Sequence, residues 1–254
     1  MPPANARVVI EVAVDSLAGA VDAAAAGAGR IELCASLLEG GITPSLGLLG
    51  AVAAAVSIPV FAMLRPRGGD FLYDDGEFEV MTRDARLLRD HGAAGIVTGI
   101  LTATGELDAN RMARLRECCS PLPMTCHRAF DLSVEPLAAL ATLSGLGFER
   151  VLTSGQAASA ALGAPLIAQL VLAAGEAVTV MAGAGVRADN AAEIVSNTGC
   201  REIHLSATTW RDSAMTFRRE GVPMGIAGPP GEYALRRTDA EMISRVVDAV
   251  RPLD

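Results

Sequence analysis

Several short apolar runs in this chain have strand-like alternation, and each turns polar groups toward one face. In RVVIEVAVD, residues 7–15, the apolar set is Ile10, Val12 and Val14, so Glu11, Ala13 and Asp15 point the other way. RIELCA, 30–35, sends Ile31 and Leu33 out and Glu32 and Cys34 in. The run ending at residue 65 places Phe61, Met63 and Arg65 on one face. Further on, Thr125 and His127 share a face opposite Met124 and Cys126, and Glu202, His204 and Ser206 share one opposite Ile203 and Leu205. If these runs line one interior, Glu11, Glu32, His127 and Asp131 are groups able to pass protons. Arg65 would stabilise a developing oxyanion, which suits isomerisation or an aldol-type step through an enediolate. The same residues admit a plainer reading. Buried charges are costly unless paired, and Glu11, Glu32 and Arg65 on neighbouring strands could form an ion-pair network.

A second chemistry is anion binding. RPRGGDFLY, 65–73, sets Arg65 and Arg67 beside Gly68, Gly69 and Asp70 at a strand end. This is either a tight turn or a guanidinium-lined anion site; in the second reading Arg65 neutralises the buried acids and faces the ligand while Arg67 gates entry. MAGAGVRADN, 181–190, places Gly183 and Gly185 between a strand and a helix, with Ser206 after the next strand and Thr153 and Ser154 ending an earlier one. Glycine amides at a helix start can cradle phosphate, and they also serve ordinary turns. The expected ligand is a small phosphorylated or carboxylated molecule.

The elements that must position these groups alternate along the whole chain. Strands are predicted at 7–14, 30–35, 59–65, 94–99, 122–128, 149–154, 177–183 and 201–206. Helices are predicted at 16–27, 45–56, 75–91, 108–119, 135–146, 157–175, 187–198 and 239–250. Pro44 after Thr43 reads as a first-turn proline following an N-cap. TDAE at 238–241 reads as a capping box ahead of a stripe of Met242, Val246 and Val250. Phe78, Met81, Ala85 and Leu88 recur at helical spacing. Strands separated by helices demand parallel crossovers. Eight such units in one α/β domain, 1–254, point to a (β/α)8 TIM barrel, with a doubly wound sheet as the alternative. The Gly- and Pro-rich stretch at about 207–237 is predicted to be a long loop over one face.

Composition narrows the chemistry. Among 254 residues there is no lysine, so all 21 basic residues are arginine; Schiff-base lysine chemistry, an internal PLP aldimine and a P-loop are excluded. Five cysteines form no CxxC, which argues against a disulfide framework or zinc finger. Net charge of −8 argues against nucleic-acid or anionic-membrane partners. The first residues lack the apolar segment of a signal peptide, and the expected location is cytoplasmic. Cys118 and Cys119 fall on a helix whose buried stripe includes Met112 and Leu115, and His91 closes a helix before Gly92; packing and capping account for them.

The blocks IELCASLLEGGITPSLG, RPRGGDFLY, HRAFD, RVLTSG and MAGAGVRADN, in that order, resemble the CutC family. The resemblance implies a single-domain TIM barrel, a cytoplasmic homo-oligomer, and a role in copper homeostasis with copper as the bound ion. It also implies a cysteine pair for Cu(I) on the first two strands. Here one position of that pair is Cys34, and the other falls in EVAVDS, where the chain carries Ala13.

Overall fold

The computed structural model describes residues 7–219, 221–222 and 231–253. Eight parallel strands close into a barrel in chain order. They are β1 (Val9–Val14), β2 (Arg30–Leu33), β3 (Val60–Met63), β4 (Gly95–Thr98), β5 (Met124–Cys126), β6 (Arg150–Thr153), β7 (Thr179–Ala182) and β8 (Glu202–Leu205). The helices that follow them are α1 (Leu17–Ala25), α2 (Leu46–Ala55), α3 (Asp75–Asp90), α4 (Ala109–Cys119), α5 (Pro136–Gly145), α6 (Ala164–Ala174), α7 (Ala191–Thr198) and α8 (Ala240–Val250). This is the (β/α)8 barrel that the alternating pattern predicts. Among the described residues no helix is long and apolar enough to cross a membrane.

Local chemistry explains most boundaries. Asp74 accepts from the Glu77 amide at 2.7 Å while Glu77 accepts from the Asp74 amide at 2.9 Å, a capping box that starts α3. Two predicted caps move. The cap of α2 is Ser45, which accepts from the Leu48 amide at 3.1 Å; Thr43 instead accepts from the Arg65 amide at 3.0 Å. The cap of α8 is Asp239, accepting from Met242 at 3.1 Å, one residue later than TDAE suggests. The stripe shifts with it, burying Ile243 and Val247 beside Val246 and Val250 and leaving Met242 exposed. The predicted helix at 157–175 starts only at Ala164.

The stretch predicted as a long loop also contains regular structure. Thr208–Asp212 (β9) and Ala234–Thr238 (β10) pair antiparallel, Thr238 opposite Thr208 and Ala234 opposite Asp212. Trp210 and the β-branched Thr208, Thr209 and Thr238 carry the strand propensity there, a signal that the surrounding Gly and Pro obscure. Residues 220 and 223–230 lie outside the described residues.

The outward faces of the strands meet the helices through Ile10, Val12, Ile31, Leu33, Met124, Cys126 and their neighbours in one apolar layer that also holds Cys119. The inward face is split. Cys34, Phe61, Met63 and Val97 form a small apolar cluster. Below the mouth lies a charged set: Arg30 donates from Nε to Glu11 and from Nη2 to Glu202, and Arg150 reaches Glu202 at 2.7 Å. The Phe61 ring lies near both guanidinium groups, 5.2 Å from Arg30 and 5.4 Å from Arg150, a favourable cation–π arrangement on a desolvated ring. Gly95 makes room for that ring, since a Cβ there would stand 2.5 Å from it.

Removing Arg30 therefore takes the guanidinium from buried Glu11 and leaves Glu202 with Arg150 alone. Arg30→Met is expected to destabilise the fold by about 3–5 kcal/mol, the usual cost of breaking one side of a buried pair. Denaturant melts of parent and variant measure this; equal midpoints would refute the network's role.

Candidate functional site

The C-terminal mouth of the barrel opens into a cavity of about 670 Å³ lined by Ala13, Glu32 and His204 at its floor. Strand register brings these together: Glu11 of β1 lies opposite both Arg30 of β2 and His204 of β8, and Ala13 lies opposite Glu32. With β1 offering only a methyl group between them, Glu32 and His204 face the same space from either side. His204 Nδ1 bonds Glu11 Oε1 at 2.8 Å, and its Nε2 stands 3.8 Å from Glu32 Oε2. Glu32 is 4% exposed, and its Oε1 has no hydrogen-bond partner among the described residues. The Cys34 thiol donates to Glu32 Oε2 at 3.6 Å.

The electrostatics follow from these contacts. Burial would raise the Glu11 pKa, but the His204 hydrogen bond and the Arg30 charge bring it down to about 2. Glu32 has no such cation in contact, and burial raises its pKa despite the nearby imidazole. Burial alone would lower His204, yet the Glu32 and Glu11 carboxylates raise it. Burial, reinforced by Glu32, drives the Cys34 thiol well above its ordinary value. Glu11 is thus a fixed anion that orients His204, while Glu32 and His204 are the adaptable pair at the floor.

The rim is basic. Arg128, Arg187, Arg236 and Arg245 line the cavity together with Gly185 and Ser206. Ala184 and Gly185 have φ of +76° and +72°, a turn in left-handed backbone that a non-glycine residue rarely adopts.

Both arginines of RPRGGDFLY have structural partners. Arg65 Nη1 donates to the carbonyls of Glu39 at 2.9 Å and Gly41 at 3.1 Å, and Nη2 donates to Gly69 at 2.8 Å. Its guanidinium stacks 4.9 Å from the Phe71 ring. The expectation that Arg65 neutralises Glu11 and Glu32 is thus corrected, because Arg65 lies beyond the end of β3 and turns into the loops. Arg67 bonds Glu77 at 2.5 Å, Asp70 at 3.1 Å and three carbonyls, and it lies 5.0 Å over Tyr73. Asp70, exposed, serves that same turn. The turn reading describes this segment.

Asp131 is saturated as well. It accepts from Thr153 Oγ1 at 2.5 Å, the Ser154 amide at 3.0 Å, Ser154 Oγ at 2.9 Å and Arg128 Nε at 2.7 Å. Thr153 and Ser154 thereby tie the end of β6 to the turn after β5. His127 accepts from the Ala129 amide at 3.2 Å and lies 4.8 Å from Phe71. Burial, with Arg65 nearby, lowers its pKa to about 3, so it is neutral. The Gly183 amide is taken by the Thr153 carbonyl at 2.9 Å, and a Cβ there would stand 2.5 Å from Leu152; Gly183 is a packing glycine.

The sequence profile of the CutC family matches residues 8–209. A copper homeostasis protein cutC homolog from Mus musculus is 50% identical over 242 residues, covering 95% of this chain and 89% of that one. The chain belongs to the CutC family. The Homo sapiens homolog is 49% identical over 242 residues, covering 95% and 88%. The crystal structure of CutC from Streptococcus agalactiae superposes with TM-score 0.74 at 30% identity, covering 78% of this chain and 97% of that one. A phosphoribosylanthranilate isomerase from Thermotoga maritima shares the fold alone, with TM-score 0.57 and 10% identity over 96% of this chain and 99% of that one.

In this CutC-family chain Glu32 and His204 line the mouth, with Glu11 and Cys34 buried against them and Gly185 and Ser206 on the rim. Arg65, Arg67, Asp70, His127, Asp131 and Ser154 lie instead in the loops after β3, β5 and β6, and Thr153 ends β6. The sequence reading overlooked Arg30, Arg150 and the four rim arginines. Arg30 could have been found, since it is two residues before Glu32 and shares its face.

His127 yields a pH prediction. Its folded pKa of about 3 lies below the ordinary 6.5, so the unfolded chain binds the extra proton and stability falls as pH drops from 6.5 toward 3. His127→Asn, which keeps an acceptor for Ala129, should remove about 1.4 kcal/mol of that loss per pH unit. Urea midpoints of parent and variant between those pH values test it; parallel pH profiles would count against it.

Proposed function

We propose that this chain works in copper homeostasis, the role carried in the names of its mouse and human relatives, and that it holds Cu(I) weakly at Cys34. The observation behind this is the pairing of two sulfur side chains below the mouth. Cys34 and Met63 share one buried cluster, and both pack over Gly41, where an added Cβ would stand 2.8 Å from Cys34 Sγ and 3.6 Å from the Met63 methyl. Thiolate and thioether are the donors that cuprous ion prefers. Two features keep the affinity low. Ala13 removes the second thiolate, and the high Cys34 pKa means that the ion must displace a tightly held proton. Competition titration with a Cu(I) chelator should show weak binding that Cys34→Ser abolishes and Ala13→Cys strengthens. Tight one-to-one binding by the parent, or binding indifferent to Cys34, would overturn this.

The size of the cavity favours a second ligand at the same mouth. About 670 Å³ is the volume of a small-molecule site and far exceeds what an ion requires. Arg187 and Arg236 on its rim, in a chain of net charge −8, suit a small phosphorylated or carboxylated molecule, while Arg128 and Arg245 pair with Asp131 and Glu241. Inorganic phosphate should raise the melting temperature of the parent, and Arg187→Met with Arg236→Met should cancel that rise. An unchanged parent would sink this reading.

A further inference from the structure

We infer that Glu32 and His204, oriented by Glu11, form a second metal site, one that takes a divalent first-row cation through oxygen and nitrogen. The inference goes beyond Cu(I) at Cys34 and does not depend on it.

Three observations carry it. The His204 ring is held by one nitrogen: Nδ1 bonds Glu11 Oε1 at 2.8 Å, which leaves Nε2 as the atom turned toward Glu32 and the cavity. A carboxylate behind a histidine is the usual support for a metal-bound imidazole. Glu11 is the positioning residue and not a third ligand, because Arg30 occupies its Oε2.

The second observation is spacing. His204 Nε2 and Glu32 Oε2 are 3.8 Å apart, too far for a hydrogen bond. Two donors each about 2.0–2.2 Å from one ion stand about 3–4 Å apart across a tetrahedral or wider angle. The pair is placed to share an ion and not to bond each other.

The third is an unmet demand. Glu32 Oε1 is buried with no hydrogen-bond partner on a residue that lines the cavity. A buried carboxylate oxygen without a donor is costly, and a cation reached through the mouth would satisfy it while water filled the remaining coordination positions. The charge balance agrees. Glu11 and Glu202 pair with Arg30 and Arg150, whereas Glu32 has no guanidinium in contact and faces the His204 imidazole at 3.8 Å. An imidazole and a carboxylate suit the Mn²⁺ to Zn²⁺ series and not a cuprous ion.

Co²⁺ is a suitable probe, because its visible d–d bands report coordination and the chain has only three histidines. Titration of the metal-free protein should give saturable d–d absorption at one equivalent, displaced by Zn²⁺, with no thiolate charge-transfer band in the near ultraviolet. Glu32→Gln and His204→Gln should each abolish it, and Glu11→Gln should weaken it about tenfold. His127→Asn should leave it unchanged. Melts establish that each variant folds; if His204→Gln does not, the isosteric Glu32→Gln carries the test. Absence of saturable binding, survival of the bands in folded Glu32→Gln, or a thiolate band placing the ion on Cys34 would each overturn the inference.

Discussion

Arg30 bonds two buried carboxylates, Glu11 on β1 and Glu202 on β8, from its place on β2, and the geometry of the mouth descends from that contact. A carboxylate inside a barrel would ordinarily take up a proton to escape the low-dielectric interior. The His204 hydrogen bond and the Arg30 guanidinium together prevent this for Glu11, which stays ionised with one oxygen toward Arg30 and the other toward His204. An ionised Glu11 fixes the imidazole by Nδ1, and a fixed imidazole presents Nε2 to Glu32. Without Arg30 the same residues would have no defined charge or direction.

The interior manages its charges by stacking as well as pairing. Both Arg30 and Arg150 carry their guanidinium groups near the Phe61 ring, 5.2 and 5.4 Å from its centre. This is a layer of the barrel in which branched hydrocarbon would normally pack. Gly95 is the matching concession on β4, a position kept bare so that the ring can lie across it. The apolar cluster of Cys34, Met63 and Val97 joins this layer at Phe61. Soft sulfur and hard oxygen donors are therefore neighbours, and the thiol of Cys34 touches the carboxylate of Glu32.

That adjacency frames what the family membership means for this chain. The names of its relatives point to copper, and sulfur side chains, Cys34 and Met63, lie in the apolar cluster below the mouth. Oxygen and nitrogen groups stand at the floor and arginines at the rim, and the small side chain of Ala13 contributes to the openness of the cavity.

Element order and inward face were legible in the amino-acid sequence because alternation along a strand and helical spacing are local properties. They were enough to announce eight βα units and to turn Glu11, Glu32, Cys34 and His204 inward. Partner choice was not legible. Arg65 is in phase with Phe61 and Met63 in the sequence, yet β3 ends at Met63, and beyond a strand's end alternation no longer dictates direction, so its guanidinium caps loop carbonyls. Arg30 occupies the first position of β2, in phase with Glu32 in the sequence, and only register sets it opposite Glu11. Asp131 and Thr153 are 22 residues apart and meet only because β5 and β6 are neighbours in the closed sheet. The sequence by itself determined which side chains could enter the barrel. Only the tertiary structure decided which of them touch, because register and barrel closure set distances between residues far apart in the chain.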